Sequence, residues 1–285
     1  NHYELLSFKH IFIRFICHFM IELILALYQT IFLNISAAVI IFLALHEMFH
    51  VTGVWENKAL SAVCLLFGCA LPFFNIEQAR QWLVYGEAVF ALAIFGILLF
   101  YHESLHYTKA ATAFAATSVI SYTTSVLIWL RQASETPLEG IYYTLLAFGL
   151  AWLTDTGAYL FGITMGKHKL APKISPKKTV EGAVGGVVFC VVTVLLLSLF
   201  CQWAGRSIWG VQLQIRYLLL VLMTPVGALV SMLGDLSASL IKRQCGVKDY
   251  GSLMPGHGGI VDRFDSVFFV LPFVFLFIRL FPIVR

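Results

Sequence analysis

Charged residues are scarce in this chain: Asp, Glu, Lys and Arg make up 12% of its 285 residues, whereas 60% are hydrophobic. Together with a mean hydropathy of +0.86, this scarcity excludes an ordinary soluble globular domain. The apolar runs are continuous rather than alternating, which argues against a transmembrane β-barrel. None of the six cysteines forms a CxxC pair, so we expect neither disulfides nor a cysteine-based zinc site.

The apolar residues form runs of about 18–22 residues, long enough to cross a bilayer as helices. We therefore predict an all-α, polytopic transmembrane protein with about nine spans. We interpret the first run as a retained signal-anchor span, because no small-residue cleavage site follows it. The predicted spans are residues 11–27, 31–50, 60–74, 83–101, 110–130, 141–162, 180–201, 217–241 and 266–282.

Basic residues are distributed unevenly between the predicted spans. The loop Gly166–Thr179 carries five lysines, and the positive-inside rule places such a loop in the cytoplasm. Alternation from this loop puts the N-terminus in the cytoplasm and 13 of the 19 Lys and Arg residues on the cytoplasmic side. Polar loops on that side can meet soluble nucleotides.

Aspartate is missing from the first 154 residues, and all five aspartates lie between Asp155 and Asp265. Carboxylates close to membrane spans are functional candidates, because they are costly to keep there. We therefore divide the chain into N-terminal membrane spans, residues 1–140, and a C-terminal catalytic membrane domain, residues 141–285. The N-terminal part is expected to serve as scaffold or to form a lipid-facing groove.

The stretch Ser231–Ser266 is the most polar part of the chain, with four aspartates and four of the Lys and Arg residues. Carboxylates are hard ligands that suit Mg²⁺, whereas lysine and arginine neutralise phosphate oxygens. A glycine-rich turn, Pro255–Gly259, gives a backbone that can approach an anion closely. A helix over the first part would put three of these polar side chains on one face, namely Asp235, Ser239 and Lys242.

The H-E-x-x-H motif suggests a different function. H-E-x-x-H occurs at His46–His50 and at His102–His106, and histidines at i and i+4 can bind zinc, as in an intramembrane metalloprotease. No aspartate is available nearby as a third ligand.

No Walker A motif is present, because Gly162–Gly166 has only three intervening residues and no Ser or Thr follows Lys167.

The polar stretch resembles the CDP-diacylglycerol synthase family, also called phosphatidate cytidylyltransferase. The family signature, S-x-x-K-R, then K-D, then P-G-H-G-G-x-x-D-R-x-D, is matched from Ser239 to Asp265. Upstream, the W-x-x-D-T-x-A-Y and S-P-x-K-T-x-E-G segments are similar to the same family, so the likeness covers Trp152 to Ser266. In the N-terminal half the family often has a glutamate followed by an aromatic residue. The sequence His46-Glu47-Met48-Phe49 departs from this pattern, which argues against a role for Glu47.

The resemblance implies an enzyme that joins CTP and phosphatidate to give CDP-diacylglycerol and pyrophosphate. A phosphate monoester is already largely ionised at pH 7, its second pKa being about 6, so the nucleophile needs no strong base. The implied cofactor is Mg²⁺, with a second metal or a monovalent cation left open. The implied metal ligands are Asp235, Asp262 and Asp265. The implied catalytic residues are Asp235, Lys242, Arg243, Lys248, Asp249, Asp262, Arg263 and Asp265. The implied substrate-binding residues are Asp155, Ser175, Lys178, Thr179, Glu181, Ser239, His257 and Gly258.

Expected partners are CTP, phosphatidate and membrane lipids, with no nucleic acid, and a homodimer is left open. We expect the inner, cytoplasmic membrane of a bacterium, with the active site facing the cytoplasm. Three other functions stay open at this point. A CTP-dependent lipid kinase would need a base for its lipid alcohol, a transporter would explain intramembrane charges without consuming CTP, and a zinc protease would use one of the H-E-x-x-H motifs.

Overall fold

The computed structural model describes residues 31–74, 82–251 and 258–284. Within these residues the chain forms eight α-helices and one small antiparallel hairpin, which confirms the predicted all-α class. The predicted first span, residues 11–27, lies outside the described residues. The helices are α1 Ile31–Thr52, α2 Lys58–Ala70, α3 Leu83–Phe100, α4 Tyr107–Ala133, α5 Pro137–Met165, α6 Val180–Ala204, α7 Tyr217–Gln244 and α8 Val261–Leu280.

Six of these helices, α1 and α3 to α7, are long and apolar enough to cross a membrane. Helix α2 continues through a 3-10 turn, Leu71–Phe73, and makes a shorter apolar helix over Lys58–Phe73. The protein is therefore an integral membrane protein. The predicted number of about nine spans stays a prediction.

The hairpin falls within the lysine-rich loop. Strand β1, Lys169–Ala171, pairs antiparallel with β2, Ser175–Thr179, so that Lys169 lies opposite Thr179. Thr179 ends β2 and begins α6, and its Oγ1 accepts a hydrogen bond from Gly182 N at 3.1 Å. This cap satisfies one of the amides that have no partner inside the helix. Thr179 is therefore the N-cap of α6.

Two large hydrophobic clusters and a small third one, around Leu33, Ala37 and Ile128, form the core of the described residues. One surrounds the buried face of α5, with Tyr142 and Leu146 fully buried. The other surrounds α1, with Leu45 and Phe49 fully buried, and it also includes Tyr250 from the polar stretch. Helices α4 and α8 contribute to both clusters, so the N-terminal and C-terminal helices share packing partners. The division at residue 140 stays a prediction.

One end of the helix bundle carries Asp155, Asp235, Asp262 and Asp265, and we call it the charged end. It is the end at which α1, α5 and α7 terminate and α6 and α8 begin. The chain crosses it through the hairpin and through the connection between α7 and α8. At the opposite end, the C-terminal segment is held by Val284 N, which donates to Tyr143 Oη at 3.2 Å, and by the bridge between Ile215 and Val284.

Helices α5 and α6 approach closely because glycines face the α5 backbone. A Cβ added at Gly182 would lie 2.7 Å from Ala158 O, and one added at Gly186 would lie 2.9 Å from Thr154 O. Such distances are too short for a side chain, and backbone oxygens cannot move aside cheaply. Small residues at a membrane helix interface permit this kind of close contact. The contact holds α5 against the end of the hairpin.

We therefore expect Gly186→Ala to lower the thermal unfolding temperature of the protein in detergent, at a cost of about 1–3 kcal/mol from overpacking. Gly96→Ala is the matched control, because a Cβ at Gly96 on α3 meets nothing within 4 Å. There, alanine should leave stability unchanged or raise it through its better helix propensity. Equal melting temperatures for the two variants would contradict the close α5–α6 contact.

Candidate active site

Three carboxylates from three helices come together at the charged end. Ser266 Oγ on α8 lies 3.1 Å from Asp155 Oδ2 on α5 and 3.3 Å from Asp265 Oδ1, so its single O–H can donate to either aspartate. Ser266 N also donates to Asp265 Oδ1 at 2.7 Å. Asp235 on α7 is close enough to both carboxylates to repel them electrostatically. Residues separated by up to 111 positions therefore form one acidic group.

Two lysines pair with carboxylates at this end. Lys178 Nζ, on β2 of the hairpin, forms an ion pair with Asp235 Oδ2, whose other oxygen accepts from Ser239 Oγ at 3.4 Å. Lys242 Nζ, near the end of α7, lies 2.6 Å from Asp262 Oδ1 on α8. The Lys242 pair is nearly buried, with side-chain exposures of 11% and 9%. Buried charges of this kind persist only where they are paired and hydrogen-bonded.

Asp262 also organises the backbone beside it. Its Oδ2 accepts hydrogen bonds from Tyr250 N at 2.8 Å and Gly259 N at 3.0 Å. Gly258 has φ +80°, a left-handed conformation that favours glycine, and a Cβ there would lie 2.9 Å from Asp262 Oδ2. With Lys242 on Oδ1, the carboxylate has three donors. Asp262 therefore has a structural role in addition to the predicted metal role.

Tyr250 also holds this turn, through its hydroxyl group and its ring. Its hydroxyl donates to Ala238 O at 3.0 Å, and the Lys242 ammonium lies 5.5 Å from the centre of its ring, in cation–π range. Burial, reinforced by the negative charge of Asp262, raises the pKa of Tyr250 far above its usual value. The phenol therefore stays a neutral donor, and the sequence interpretation gave it no role.

The hairpin is linked to α7 at its turn, and its base is linked to the start of α6. Arg243 Nε donates to Ile174 O at 3.3 Å, which links the end of α7 to the hairpin turn. Glu181 accepts from Lys167 N at 3.0 Å and lies 2.5 Å from His168 Nδ1, so it ties the chain entering the hairpin to the first turn of α6. Glu181 is thus engaged by the loop itself. Its predicted contact with substrate stays a prediction.

The remaining predicted residues lie on the hairpin, on the connection after α7 and on α8. Ser175 begins β2 and is partly exposed, whereas Lys248, Asp249 and Arg263 are exposed. The backbone oxygen of Arg263 lies 3.5 Å from Trp152 Nε1 on α5. His257 lies outside the described residues.

The first H-E-x-x-H motif is not arranged as a zinc site. The His46 and His50 rings lie 4.6 Å apart and both contact the Trp55 ring, whereas Glu47 is buried against α8. In the second motif, His102 and Glu103 are exposed, and His106 caps α4. Among the residues that the structure describes, no group of three His, Cys, Asp or Glu side chains is placed to hold a metal.

Mg²⁺ places a different demand on a site. It is commonly held by one or two carboxylates, with water and substrate phosphates completing its shell. The acidic group supplies carboxylate oxygens of the right type, and the charge of Asp235 acts on Asp265. The donor set therefore fits Mg²⁺ when substrate phosphates complete the coordination.

Glu47 is the functional candidate that the sequence interpretation missed. Its carboxylate accepts hydrogen bonds from Ile260 N and Val261 N, both at 3.0 Å. These partners are 213 and 214 residues away in sequence. The available signal was a carboxylate near the end of an apolar run, but nothing in its spacing identified the partner.

Apolar helices that bring buried carboxylates, lysines and a glycine turn to one end define an integral membrane protein with a site suited to phosphate chemistry. The chain matches the model of the cytidylyltransferase family over residues 9–281. It belongs to this family, which confirms the resemblance.

Individual relatives agree with this assignment. The phosphatidate cytidylyltransferase of Staphylococcus saprophyticus is 39% identical over 234 residues, covering 81% of this chain and 84% of the relative. That of Staphylococcus epidermidis is 39% identical over 243 residues, 84% of this chain and 87% of the relative. In the Staphylococcus aureus enzyme, 138 residues are 51% identical, which is 48% of this chain and 49% of the relative.

We expect Asp262→Asn to loosen the turn that Asp262 holds, because an amide has one acceptor oxygen for three donors. Its NH₂ group would also face either Lys242 or two backbone N–H groups. Hydrogen exchange at the Tyr250 and Gly259 amides should speed up by at least about tenfold, equivalent to about 1.4 kcal/mol. Asp249→Asn is the matched control on the exposed side of the same turn. Unchanged protection in the Asp262 variant would show that the hydrogen bonds to this carboxylate do not hold the turn.

Proposed function

We propose that this chain transfers the cytidylyl group of CTP to phosphatidate, giving CDP-diacylglycerol and pyrophosphate. The observation that carries the proposal is the gathering of four aspartates and two lysines at the charged end, through direct contacts between α5, β2, α7 and α8. The names of the relatives support the two substrates. The apolar exterior gives the lipid substrate access from the bilayer.

The chemistry needs positioning more than acid–base catalysis. A phosphate oxygen of phosphatidate attacks the α-phosphorus of CTP and forms a new P–O bond. The bond from that phosphorus to the oxygen bridging the β-phosphorus breaks, and pyrophosphate leaves with the electron pair. The attacking phosphate is already ionised near pH 7. The site must therefore hold two polyanions together and stabilise charge on the transferred and departing groups.

Basic side chains at the charged end supply this stabilisation. Lys178 and Lys242 each place an ammonium group among the aspartates, where it can also contact phosphate oxygens. Arg243 donates from Nε to Ile174 O and from Nη1 to Val247 O. These bonds use two of its five N–H donors and leave the guanidinium able to bind phosphate. Lys248 and Arg263 are proposed to bind phosphate from the exposed side.

Mg²⁺ is the proposed cofactor, with Asp235, Asp262 and Asp265 as its proposed ligands and a further cation left open. When bound, it would neutralise and orient the phosphate oxygens of the nucleotide. Asp262 already accepts from Lys242, Tyr250 N and Gly259 N. Of its roughly four lone-pair positions, one is left for a metal ion. Asp235 and Asp265 are therefore proposed to carry the larger share of metal binding.

The charged end is proposed to face the cytoplasm of a bacterial cell, from the inner membrane, with a cytoplasmic N-terminus and about nine spans in all. The hairpin lysines, Lys242 and Arg243 lie at this end, as the positive-inside rule requires. CTP is soluble and would reach the site from that side.

We expect Asp235→Asn to lower pyrophosphate release from CTP and phosphatidate by at least about 100-fold, because it removes the charge that holds Lys178 and that would bind Mg²⁺. Asp235 is the better target than Asp262, since no backbone amide of the described residues donates to it. The assay follows labelled CTP in detergent–phosphatidate micelles, with and without Mg²⁺. Glu103→Gln and His46→Ala are the controls and should retain activity.

The products of the same assay separate the alternatives. Cytidylyl transfer gives pyrophosphate and a cytidylated lipid, whereas a CTP-dependent lipid kinase gives CDP and a phosphorylated lipid. Full activity of Asp235→Asn, or loss of activity in His46→Ala alone, would contradict the proposed site.

A further inference from the structure

Glu47 has an unusual position for an acidic residue of a membrane helix. It lies near the end of α1, and only 7% of it is exposed. Its two oxygens accept one hydrogen bond each, Oε1 from Ile260 N and Oε2 from Val261 N. These amides open α8 and belong to the set that has no acceptor within a helix. The negative charge also lies at the positive end of the helix dipole.

Gly251 and Gly259 both pack closely against the Glu47 carboxylate. A Cβ added at Gly251 would lie 2.5 Å from Glu47 Oε1, and one added at Gly259 would lie 2.2 Å from Oε2. Cβ atoms do not approach other atoms this closely. Only glycine therefore lets the two ends of this segment pack against Glu47.

Glu47 and Asp262 together bind the backbone at the start of α8. Asp262 binds Tyr250 N and Gly259 N, and Glu47 binds the next two amides along the chain, those of Ile260 and Val261. The start of α8 is therefore fixed by one carboxylate on α8 itself and by one from α1. Because α8 carries both Asp262 and Asp265, its start sets where these two side chains lie.

We propose that Glu47 is a positioning residue for cytidylyl transfer: without touching substrate, it fixes the start of α8 and so aligns Asp262 and Asp265 with the carboxylates of α5 and α7. The inference rests on the proposed function for its catalytic part. Helix α1 lies outside the stretch that carries the family signature. With Glu47 in this role, α1 nevertheless contributes to the active site. The inference also assigns a use to the first H-E-x-x-H motif that involves no zinc.

Glu47→Gln is the test variant, because it keeps the size of the side chain but removes its charge and one of its two acceptors. Its NH₂ group would face a backbone N–H. We expect kcat for pyrophosphate release to fall by about 10- to 100-fold, with a smaller change in KM for CTP, since Glu47 is buried and both its oxygens are bound to backbone amides. Hydrogen exchange at the Ile260 and Val261 amides should speed up. Glu56→Gln, an exposed glutamate at the same end that pairs with Lys109, is the matched control and should match wild type in both readouts.

General destabilisation is separated from positioning by two further variants. Leu45→Ala removes a fully buried side chain from α1 and should lower the melting temperature while leaving kcat of the folded protein near wild type. Gly251→Ala should reduce kcat because its methyl group would collide with the Glu47 carboxylate. In a Glu47→Ala background that collision partner is gone, so adding Gly251→Ala should then cost much less, a coupling that independent sites do not show.

A Glu47→Gln variant with wild-type kcat would overturn the positioning role, whatever its melting temperature. The role would also be overturned if Leu45→Ala lowered kcat as much as Glu47→Gln, or if the effects of Glu47→Ala and Gly251→Ala on kcat were simply additive. If the wild-type protein released no pyrophosphate, the proposed function would fail. Exchange at Ile260 and Val261 would still decide whether Glu47 holds α8, since that measurement needs no substrate.

Discussion

The structure depends on satisfying carboxylates that are withdrawn from water at one end of an apolar helix bundle. An isolated buried charge costs several kcal/mol, so each carboxylate needs cations or hydrogen-bond donors close by. Asp262 has an ammonium and two backbone amides, and Glu47 has two backbone amides at a helix start. The donors come from distant parts of the chain. Meeting this electrostatic requirement therefore also assembles the helices and the site.

Much of the fold was predictable because apolar runs set by bilayer thickness are visible in a single sequence. The predicted spans 83–101 and 217–241 correspond closely to α3 and α7. The family signature, matched from Ser239 to Asp265, marked Lys242 and Asp262, because the residues of the signature lie close together along the chain. The lysine-rich loop was recognised by its charge, but its folding into a hairpin depends on backbone pairing that composition does not reveal.

The parts of the site that the sequence did not predict were missed for one physical reason: they depend on contacts between distant residues. Ser266 lies within hydrogen-bond distance of Asp155 and Asp265, and the Tyr250 ring contacts Lys242, because packing brings distant parts of the chain together. Glu47 went unrecognised because its motif resembled a zinc site and its partners are backbone amides. Backbone amides are present at every residue and therefore leave no mark in the sequence. Helix starts that are capped from another helix cannot be identified from local patterns such as a capping box.

The balance of charge at the site supports a role for an added cation. Asp155, Asp235, Asp262 and Asp265 outnumber the two lysines that contact them, Lys178 and Lys242. Both proposed substrates are polyanions, and their approach to an excess of carboxylates would be repulsive. The exposed Lys248 and Arg263 reduce this repulsion only weakly, because solvent screens exposed charges. A divalent cation that enters with the nucleotide would satisfy the carboxylates and the phosphates at once, which is the physical reason for proposing Mg²⁺ at this end of the bundle.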